Sequence, residues 1–194
     1  MAAYGSGECS RWSAHTLPDS LTKASSAKLR HPLVTVVMHW VVREGGAMVT
    51  ALELSSPEAG ASRHPCGPVG RYFDLVSAYL QGCPVDPGSI PHRTPTGTSF
   101  QTAVIAAART VERGTVVSYG ELAMRAGFPG AARGAATVMR MNPLALIIPC
   151  HRVVSANGKV GGYLGETSGW GVACKKALLH LEGYRFDTHR RHPE

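Results

Sequence analysis

The stretch IIPCHRVV, at residues 147–154, places a cysteine and a histidine side by side directly after a proline. Proline fixes its own φ and has no N–H, so it ends ladder pairing and turns the chain where Cys150 begins. The apolar residues on either side predict a strand that holds this turn against a core. A thiol attacks as thiolate, and His151 and Arg152 are the neighbours that could favour that form. A small buried hydrophobic residue is the alternative interpretation of Cys150.

Length and composition indicate a globular protein. With 194 residues, of which 44% are hydrophobic, the chain can form one sizeable core, or a compact domain with a smaller partner. The five cysteines are widely spaced, which argues against a disulfide scaffold. No apolar run approaches the roughly 18 residues of a membrane span, and residues 1–30 lack the apolar centre of a secretory signal. We therefore expect a protein of the nucleus or cytoplasm with no membrane partner.

Positive charge is concentrated in the second half of the chain. Residues 1–98 contain 8 Lys and Arg against 7 Asp and Glu, whereas residues 99–194 contain 12 against 6. The halves therefore carry +1 and +6 of the total charge of +7. Lys and Arg gain affinity by releasing counterions from phosphates, so this asymmetry favours a polyanionic partner. A solvated basic surface is the alternative.

In the first half, β-branched runs at 33–42 and 47–54, separated by REGG, predict a hairpin. The apolar spacing at 71–81 predicts an amphipathic helix after it. Residues 83–98 contain four prolines and two glycines, which exclude an α-helix or a central strand. We place a domain boundary in this segment.

The second half is predicted to be mostly helical. A helix is expected from Phe100 to a C-cap at Gly114, and Ser118 is expected to cap a short helix that ends at Ala126. A further helix at 131–141 completes a helix-turn-helix. The Asn-Gly pair that follows Cys150 predicts a β-wing at 153–162, and the last helix is expected at 172–182.

Six motifs in this half resemble those of the O6-alkylguanine-DNA alkyltransferase family. They are SYGELA at 118–123, AAR at 131–133, NP at 142–143, PCHRVV at 149–154, GY at 162–163 and ALLHLEG at 177–183. Each motif alone is weak, but their order and spacing are specific, and together they cover Ser99 to about Arg185. Residues 1–98 agree with the variable N-terminal domain of the family in architecture only.

The expected fold is α+β: an N-terminal β-hairpin and helix domain, then a mostly helical, winged helix-turn-helix-like domain that binds DNA. The predicted divisions are a polar tail at 1–30, for which disorder is one interpretation, the N-terminal domain at 31–82 and the linker at 83–98. The alkyltransferase domain follows at 99–186, and a basic tail at 187–194.

The resemblance implies DNA repair by direct damage reversal. An alkyl group passes irreversibly from the O6 of guanine, and also from the O4 of thymine, to Cys150, once per chain. In the family pattern, His151 withdraws the thiol proton through a water molecule and Glu182 orients that histidine. Tyr119 donates its phenolic proton toward guanine N3 and crowds the 3′ phosphate. The resemblance implies a monomer that needs no cofactor.

The resemblance also implies that a helix enters the minor groove while the damaged base turns out of the stack. Arg133 corresponds to the arginine that fills the resulting gap, and small residues beside it allow a close approach. The predicted DNA contacts are Arg133, Tyr119, Ala131, Ala132, Gly134, Arg140 and Arg152, with Lys159, Lys175 and Lys176 as further candidates for phosphate. The predicted substrate pocket comprises Asn142, Pro143, Val153, Tyr163, Leu164 and Gly165.

Two other functions stay open at this point. An alkyltransferase-like protein would bind lesions without accepting the alkyl group, although such proteins typically lack the cysteine. A thiol hydrolase would turn over many times. No metal is predicted, because the candidate zinc ligands form no closely spaced pair; they are Cys9, His64, Cys66, Cys83 and His92. The loop at 164–173 is longer than usual in the family, which leaves the preferred adduct size open.

Overall fold

The computed structural model describes residues 24–60, 62, 65, 67, 69–156 and 158–186. Within these ranges the strands are β1 (Ala24–Arg30), β2 (Thr35–Arg43), β3 (Gly46–Ser55), β4 (Val117–Ser118) and β5 (Val153–Val154). The helices are α1 (Gly70–Leu80), α2 (Ser99–Arg109), α3 (Tyr119–Arg125), α4 (Ala132–Arg140) and α5 (Trp170–Leu181). The predicted α+β class is confirmed. The predicted basic tail at 187–194 lies outside the described residues, as does the predicted polar tail up to residue 23.

The N-terminal sheet is antiparallel, with the strand order β1-β2-β3. The predicted hairpin is confirmed, since β2 and β3 pair from Thr35 opposite Ser55 to Arg43 opposite Gly46. The third strand, β1, pairs along its whole length with residues 35–41 of β2, so the predicted polar tail is wrong for residues 24–30. The strand reads ASSAKLR, and its small and polar residues conceal the alternation of an edge strand.

Helix α1 covers the inner face of this sheet. Alternate residues of β2 are buried there, and the ring of Trp40 meets that of Phe73 edge to face, with 6.3 Å between the centroids. Helix α1 lies within one residue of its predicted bounds at each end. It buries the aromatic side chains of Tyr72, Phe73 and Tyr79.

The Pro-rich segment at 83–98 packs along the edge of the sheet. It contains a 3₁₀ turn at Pro87–Ser89 and, as predicted, no α-helix. The Val49 amide donates to the Pro91 carbonyl at 2.9 Å, and the Arg93 amide donates to the Val49 carbonyl at 2.8 Å. One continuous core contains residues from both sides of this segment. The division into two domains stays a prediction.

Helices α3 and α4 form the predicted helix-turn-helix, and α2 packs against both. The Ser118 hydroxyl accepts from the Glu121 amide, while the Glu121 carboxylate accepts from the Ser118 amide. The expected end of α2 at Gly114 is wrong, because the helix stops at Arg109 and Thr110 caps it. Gly114 instead lies in the following loop with φ +75°, where a Cβ would approach the Glu182 carbonyl at 2.9 Å.

The strand predicted at 147–154 is wrong except for its last two residues. Every residue from Leu144 to Arg152 is buried, so no alternation of burial exists there. The turn predicted at Cys150 is confirmed, because Cys150–Arg152 form a 3₁₀ turn directly after Pro149. Strand β5 then pairs with β4 in parallel. The predicted β-wing is therefore wrong in its pairing, although a turn does close between the Ser155 amide and the Lys159 carbonyl at 3.0 Å.

Candidate active site

Cys150 lies at the wall of an open cavity of about 260 Å³. It is the first residue of the 3₁₀ turn, and 6% of its surface is exposed. The cavity is lined by Tyr119, Ala136, Met139, Arg140, Cys150, Gly162, Tyr163, Leu164, Gly165, Glu166 and Thr167. The wall combines parts of α3, α4, the 3₁₀ turn and the loop before α5.

Asn142 forms a hydrogen bond with the Cys150 thiol. Its amide nitrogen donates to Cys150 Sγ at 3.2 Å and to the Ile148 carbonyl at 3.0 Å, while its amide oxygen accepts from the Leu144 amide at 3.0 Å. Burial raises the pKa of Cys150, whereas the Asn142 bond and the positive charge of Lys175 oppose that rise. A fixed donor at sulfur favours the thiolate over the thiol.

His151 and Glu182 form a buried pair beside the cysteine. The Nε2 atom of His151 lies 3.0 Å from Oε1 of Glu182, and neither side chain has exposed surface. Burial lowers the pKa of His151, so the imidazole is neutral near neutral pH. A neutral ring that donates from Nε2 leaves Nδ1 as an acceptor, and Nδ1 is buried with no hydrogen-bond partner in the protein. His151 is thereby arranged as a base.

Arg152 points inward, so its prediction as a DNA contact is wrong. Its guanidinium meets Glu182 with Nε at 2.9 Å from Oε2 and Nη2 at 2.7 Å from Oε1, and Nη1 donates to the Val111 carbonyl at 2.7 Å. Burial alone would raise the pKa of Glu182, but the hydrogen bonds from His151 and Arg152 hold that pKa well below its ordinary value. Glu182 is therefore ionised.

Tyr79 also belongs to this network, although nothing in its own sequence context marked it as a site residue. Its hydroxyl donates to Glu182 Oε1 at 2.7 Å and lies 3.2 Å from His151 Nε2. The phenol comes from α1, in the first half of the chain, and is buried. Burial and the Glu182 charge raise its pKa, so it remains a donor.

Two tyrosines shape the cavity itself. Tyr119 is the first residue of α3, is half-buried, and lines the cavity. Burial and then the Cys150 charge raise its pKa, so the phenol stays protonated. Tyr163 is buried opposite the thiol, and its pKa is raised for the same two reasons. Its hydroxyl makes no hydrogen bond of good geometry.

A tight turn closes the cavity on the side of α5. The Tyr163 and Glu166 backbones exchange two hydrogen bonds of 2.9 Å, with Leu164 at φ +52° and Gly165 at φ +84° between them. Both central φ values are positive, as a type I′ turn requires. A leucine there is strained by about 1–3 kcal/mol, and such strain is typical of functional loops. Leu164 and Gly165 thus lie in the predicted pocket.

Two residues predicted for the pocket lie elsewhere. Pro143 is exposed, and its carbonyl accepts from the Leu52 amide of β3 at 2.8 Å. Val153 is fully buried in β5 and does not reach the cavity. Both predictions are wrong because closeness in sequence to Asn142 or Cys150 does not place a side chain on the same wall. Asn142 itself touches the sulfur without lining the cavity.

The outer face of α4 is positively charged. Arg133, Thr137 and Arg140 are exposed along it, and Arg140 also reaches the cavity. Ala131 and Ala132, at the start of the helix, are partly exposed. Gly134 instead faces Phe100 of α2, whose ring lies 2.9 Å from the position of a Cβ. The glycine therefore serves helix packing, and its contact with DNA stays a prediction.

Lys175 is fully buried, so it cannot meet phosphate on the surface as predicted. Its Nζ donates to the Val153 carbonyl at 2.5 Å and to the Gly162 carbonyl at 3.3 Å. The other two candidates for phosphate, Lys159 and Lys176, are exposed.

Among the described residues, no group of three His, Cys, Asp or Glu side chains could hold a metal ion. Three of the candidate zinc ligands, Cys9, His64 and Cys66, lie outside the described residues. Across the described ranges, no helix is both long and apolar enough to cross a membrane.

Comparison with known proteins gives consistent matches. The family model of the 6-O-methylguanine DNA methyltransferase DNA-binding domain matches residues 99–184. The methylated-DNA–protein-cysteine methyltransferase of Methanothermobacter thermautotrophicus is 35% identical over 157 residues, which cover 80% of this chain and 83% of that protein. The protein of the same name from Shigella flexneri is 36% identical over 137 residues, or 71% and 77% of the two chains. Among solved structures, Mycobacterium tuberculosis OGT in complex with DNA has a TM-score of 0.63 at 32% identity and covers 81% of this chain and 91% of its own.

Proposed function

Because the chain belongs to the methylated-DNA–protein-cysteine methyltransferase family, we propose that Cys150 accepts alkyl groups from O6-alkylguanine, and from O4-alkylthymine, in duplex DNA. The protein repairs DNA by alkyl transfer to a cysteine, and each chain reacts once. The observation that carries the assignment of Cys150 is its position, at the wall of a cavity and directly before a buried neutral histidine paired with Glu182.

The reaction is a displacement at the alkyl carbon. The thiol proton passes to Nδ1 of His151 through a water molecule, and Cys150 Sγ then forms a bond to the alkyl carbon while the bond from that carbon to O6 breaks. The electron pair remains on O6 and spreads over the purine ring. The proton returns from His151 to the departing guanine, so the products are guanine and an alkylated cysteine. Glu182 stabilises the transient imidazolium, as the acid of a catalytic triad does.

Tyr119 serves the leaving group. Because its raised pKa keeps the phenol protonated, Tyr119 can donate toward guanine N3 as negative charge develops. The phenol lies on the cavity wall that also contains Cys150. The Cys150 sulfur and the Tyr119 hydroxyl can therefore both reach a guanine bound in the cavity.

DNA is the partner, and the exposed face of α4 is the contact surface that we propose for it. Arg133 fills the space left by the extruded nucleotide, since its planar guanidinium can stack and form hydrogen bonds there. Arg140 contacts phosphate at the mouth of the cavity. Ala131 and Ala132 allow the start of α4 to approach the minor groove, whose degenerate code suits repair in any sequence.

We further infer that the protein acts as a monomer, in the nucleus or cytoplasm where its DNA substrate lies, and that it needs no cofactor. A lesion-binding protein without transfer activity is the alternative function. The presence of Cys150 beside His151 argues against that alternative, because binding alone needs neither a thiol nor a base.

The deciding experiment is a titration of the full chain with a duplex that contains O6-methylguanine. Intact-mass measurement should show one methyl group per chain, and peptide mapping should place it on the tryptic peptide 141–152, which contains Cys150. The Cys150→Ser variant should lose transfer, because an alcohol is a far weaker nucleophile at neutral pH, and yet retain DNA affinity. Transfer by that variant, or an unmodified wild-type peptide, would exclude Cys150 as the acceptor.

A further inference from the structure

Lys175 is a buried cation that the proposed transfer chemistry leaves unused. None of its surface is exposed, and within the described part of the chain no carboxylate lies close enough to form an ion pair with it. Burying an unpaired ammonium group is strongly unfavourable. The buried Lys175 ammonium group therefore needs a partner that compensates for its positive charge.

The surroundings of Lys175 supply partial compensation. The carbonyls of Val153 and Gly162 accept two of its protons. The rings of Tyr119 and Tyr163 lie 5.8 Å and 6.0 Å from Nζ, which is the range of cation–π attraction. All four groups are neutral, so the positive charge itself remains uncompensated.

The same two tyrosines border the reactive cysteine. Tyr119 and Tyr163 line the cavity together with Cys150, and Gly162, one of the two carbonyl partners, lines it as well. The ammonium group thus packs against three residues of the cavity wall that also contains the sulfur. The charges of Cys150 and Lys175 act on each other: the ammonium lowers the pKa of the thiol, and the thiolate raises that of the lysine.

The other charged groups near the thiol do not provide this charge. Arg152, from the 3₁₀ turn, and Glu182, at the end of α5, neutralise each other in a bidentate pair. His151 is neutral, and burial of Cys174, then the Cys150 charge, raises the pKa of Cys174 to about 12. Tyr119 and Tyr163 are protonated phenols. Arg140 and Glu166 also line the cavity, but both are exposed to solvent, which screens their charges. Lys175 is the buried cation that remains.

We propose that Lys175 is the internal counter-ion of the Cys150 thiolate, a positioning residue that places one positive charge behind the reacting sulfur. This inference rests on the proposed function, because it explains how a buried thiol becomes anionic for alkyl transfer. Burial lowers the pKa of Lys175 to about 8, so the ammonium form predominates at neutral pH and is lost in alkali. The two groups then titrate as a coupled pair.

The test measures the pH at which Cys150 becomes reactive toward iodoacetamide, a small electrophile that needs no DNA. The full chain is labelled across a pH series, and modification of the peptide 141–152 is followed by mass spectrometry. The exposed Cys83 serves as an internal reference. The midpoint is a better readout than the rate at one pH, because a more basic thiolate is also more nucleophilic.

Lys175→Met keeps the length of the side chain and removes its charge. We expect the Cys150 midpoint to rise by about one pH unit or more, equivalent to roughly a tenfold lower thiolate fraction at neutral pH. Lys175→Arg should keep the midpoint near the wild-type value. Lys28→Met removes a lysine charge from the exposed surface of β1 and should change nothing. A midpoint unchanged in folded Lys175→Met would overturn the proposal and leave Lys175 with a purely structural role.

A measurement on the wild-type sequence decides the question if Lys175→Met does not fold. The Lys175 ammonium is titrated by NMR of nitrogen-labelled lysine, before and after Cys150 is blocked with iodoacetamide. Its pKa should fall after blocking, because the thiolate that stabilises the ammonium has gone; an equal or higher pKa would contradict the pairing. Neither the iodoacetamide labelling nor the NMR titration uses alkylated DNA. A failure of the counter-ion proposal can therefore be distinguished from a failure of alkyl transfer, which the titration with methylated duplex tests.

Discussion

Burial disfavours the Cys150 thiolate, so each neighbour of the sulfur matters through its effect on that charge. Asn142 contributes a hydrogen bond at 3.2 Å, and Lys175 contributes a positive charge without a bond to the sulfur. His151 acts differently, since it is neutral and can accept the proton. The thiol is therefore protected from bulk solvent and activated by fixed groups, an arrangement suited to a single irreversible transfer.

Arg133 provides a test of base extrusion at the level of one side chain. It is exposed at the second position of α4, and its removal should not disturb the core. Arg133→Ala should slow repair of duplex DNA at least about tenfold, because nothing then fills the gap left by the extruded base. Reaction with free O6-benzylguanine should be nearly unchanged. Single-turnover rates with the two substrates measure the difference.

Arg125→Ala is the matched control, because Arg125 is an exposed arginine in the last turn of α3. Loss of its charge should weaken duplex repair only modestly, through general attraction to phosphate. Equal losses with duplex and free base in Arg133→Ala would argue against gap filling and for damage to the cavity.

The burial of individual arginine and lysine side chains was the hardest feature to predict from sequence. Arg152 and Lys175 were predicted on the surface because most arginines and lysines are exposed, and tertiary structure buries both. A signal for Lys175 was present, however. It precedes Glu182 by seven residues, which is two helical turns, so both lie on the same face of the segment that forms α5. Because the motifs place Glu182 in the active site, Lys175 on the same helix face should also point toward the interior.

At the scale of elements, sequence prediction succeeded where periodicity and capping agree. The hairpin of β2 and β3, helix α1 and the capped helix α3 lie within one or two residues of their expected bounds. Prediction failed for the strand expected before Pro149, because that apolar run is buried on all sides and does not extend, whereas the turn expected at Cys150 is confirmed. It also failed for β1, whose pairing depends on a neighbouring strand and not on its own composition.

The contact between helix α5 and the turn at 163–166 sets the back of the cavity. Gly171, in the first turn of α5, donates its amide to the Glu166 carboxylate at 2.6 Å. A Cβ at this position would lie 2.6 Å from the Tyr163 carbonyl oxygen. Gly171→Ala must therefore displace the turn, and we expect a loss of about 1–3 kcal/mol in the free energy of unfolding together with slower alkyl transfer. Urea unfolding and single-turnover transfer measure the two effects.

Ala173→Gly, at an exposed position of the same helix, is the control for helix propensity. It should cost about 1 kcal/mol of stability and leave the transfer rate unchanged. A Gly171→Ala variant that is as stable and as active as wild type would show that the turn and the helix move apart freely.

For the whole molecule, Glu182 is the group that connects the two halves of the chain. Tyr79 reaches it from α1, while His151 and Arg152 reach it from the turn that contains the nucleophile. The Gly114 amide approaches its other oxygen at 3.5 Å. The sequence motifs indicated Glu182 and His151 but not Tyr79, because this tyrosine lies 103 residues before Glu182 in the chain. Proton binding at this site should therefore be linked to global stability.

The pKa of Glu182 is lower in the folded chain than its ordinary value of 4.5, and burial also holds the pKa of His151 below 6.5. The unfolded chain therefore binds both protons more readily, so the stabilisation is complete above pH 6.5 and is lost as the pH falls. Glu182→Gln leaves Arg152 buried without a counter-charge and should lose about 3–5 kcal/mol at neutral pH. Its stability should also decline less steeply from pH 5 to 3 than that of wild type, because the carboxylate that the unfolded chain protonates around its ordinary pKa of 4.5 is absent. Urea unfolding across this range measures the slope. Glu112→Gln, an exposed control, should follow the wild-type slope; an equal slope for Glu182→Gln would mean that the proton linkage lies elsewhere.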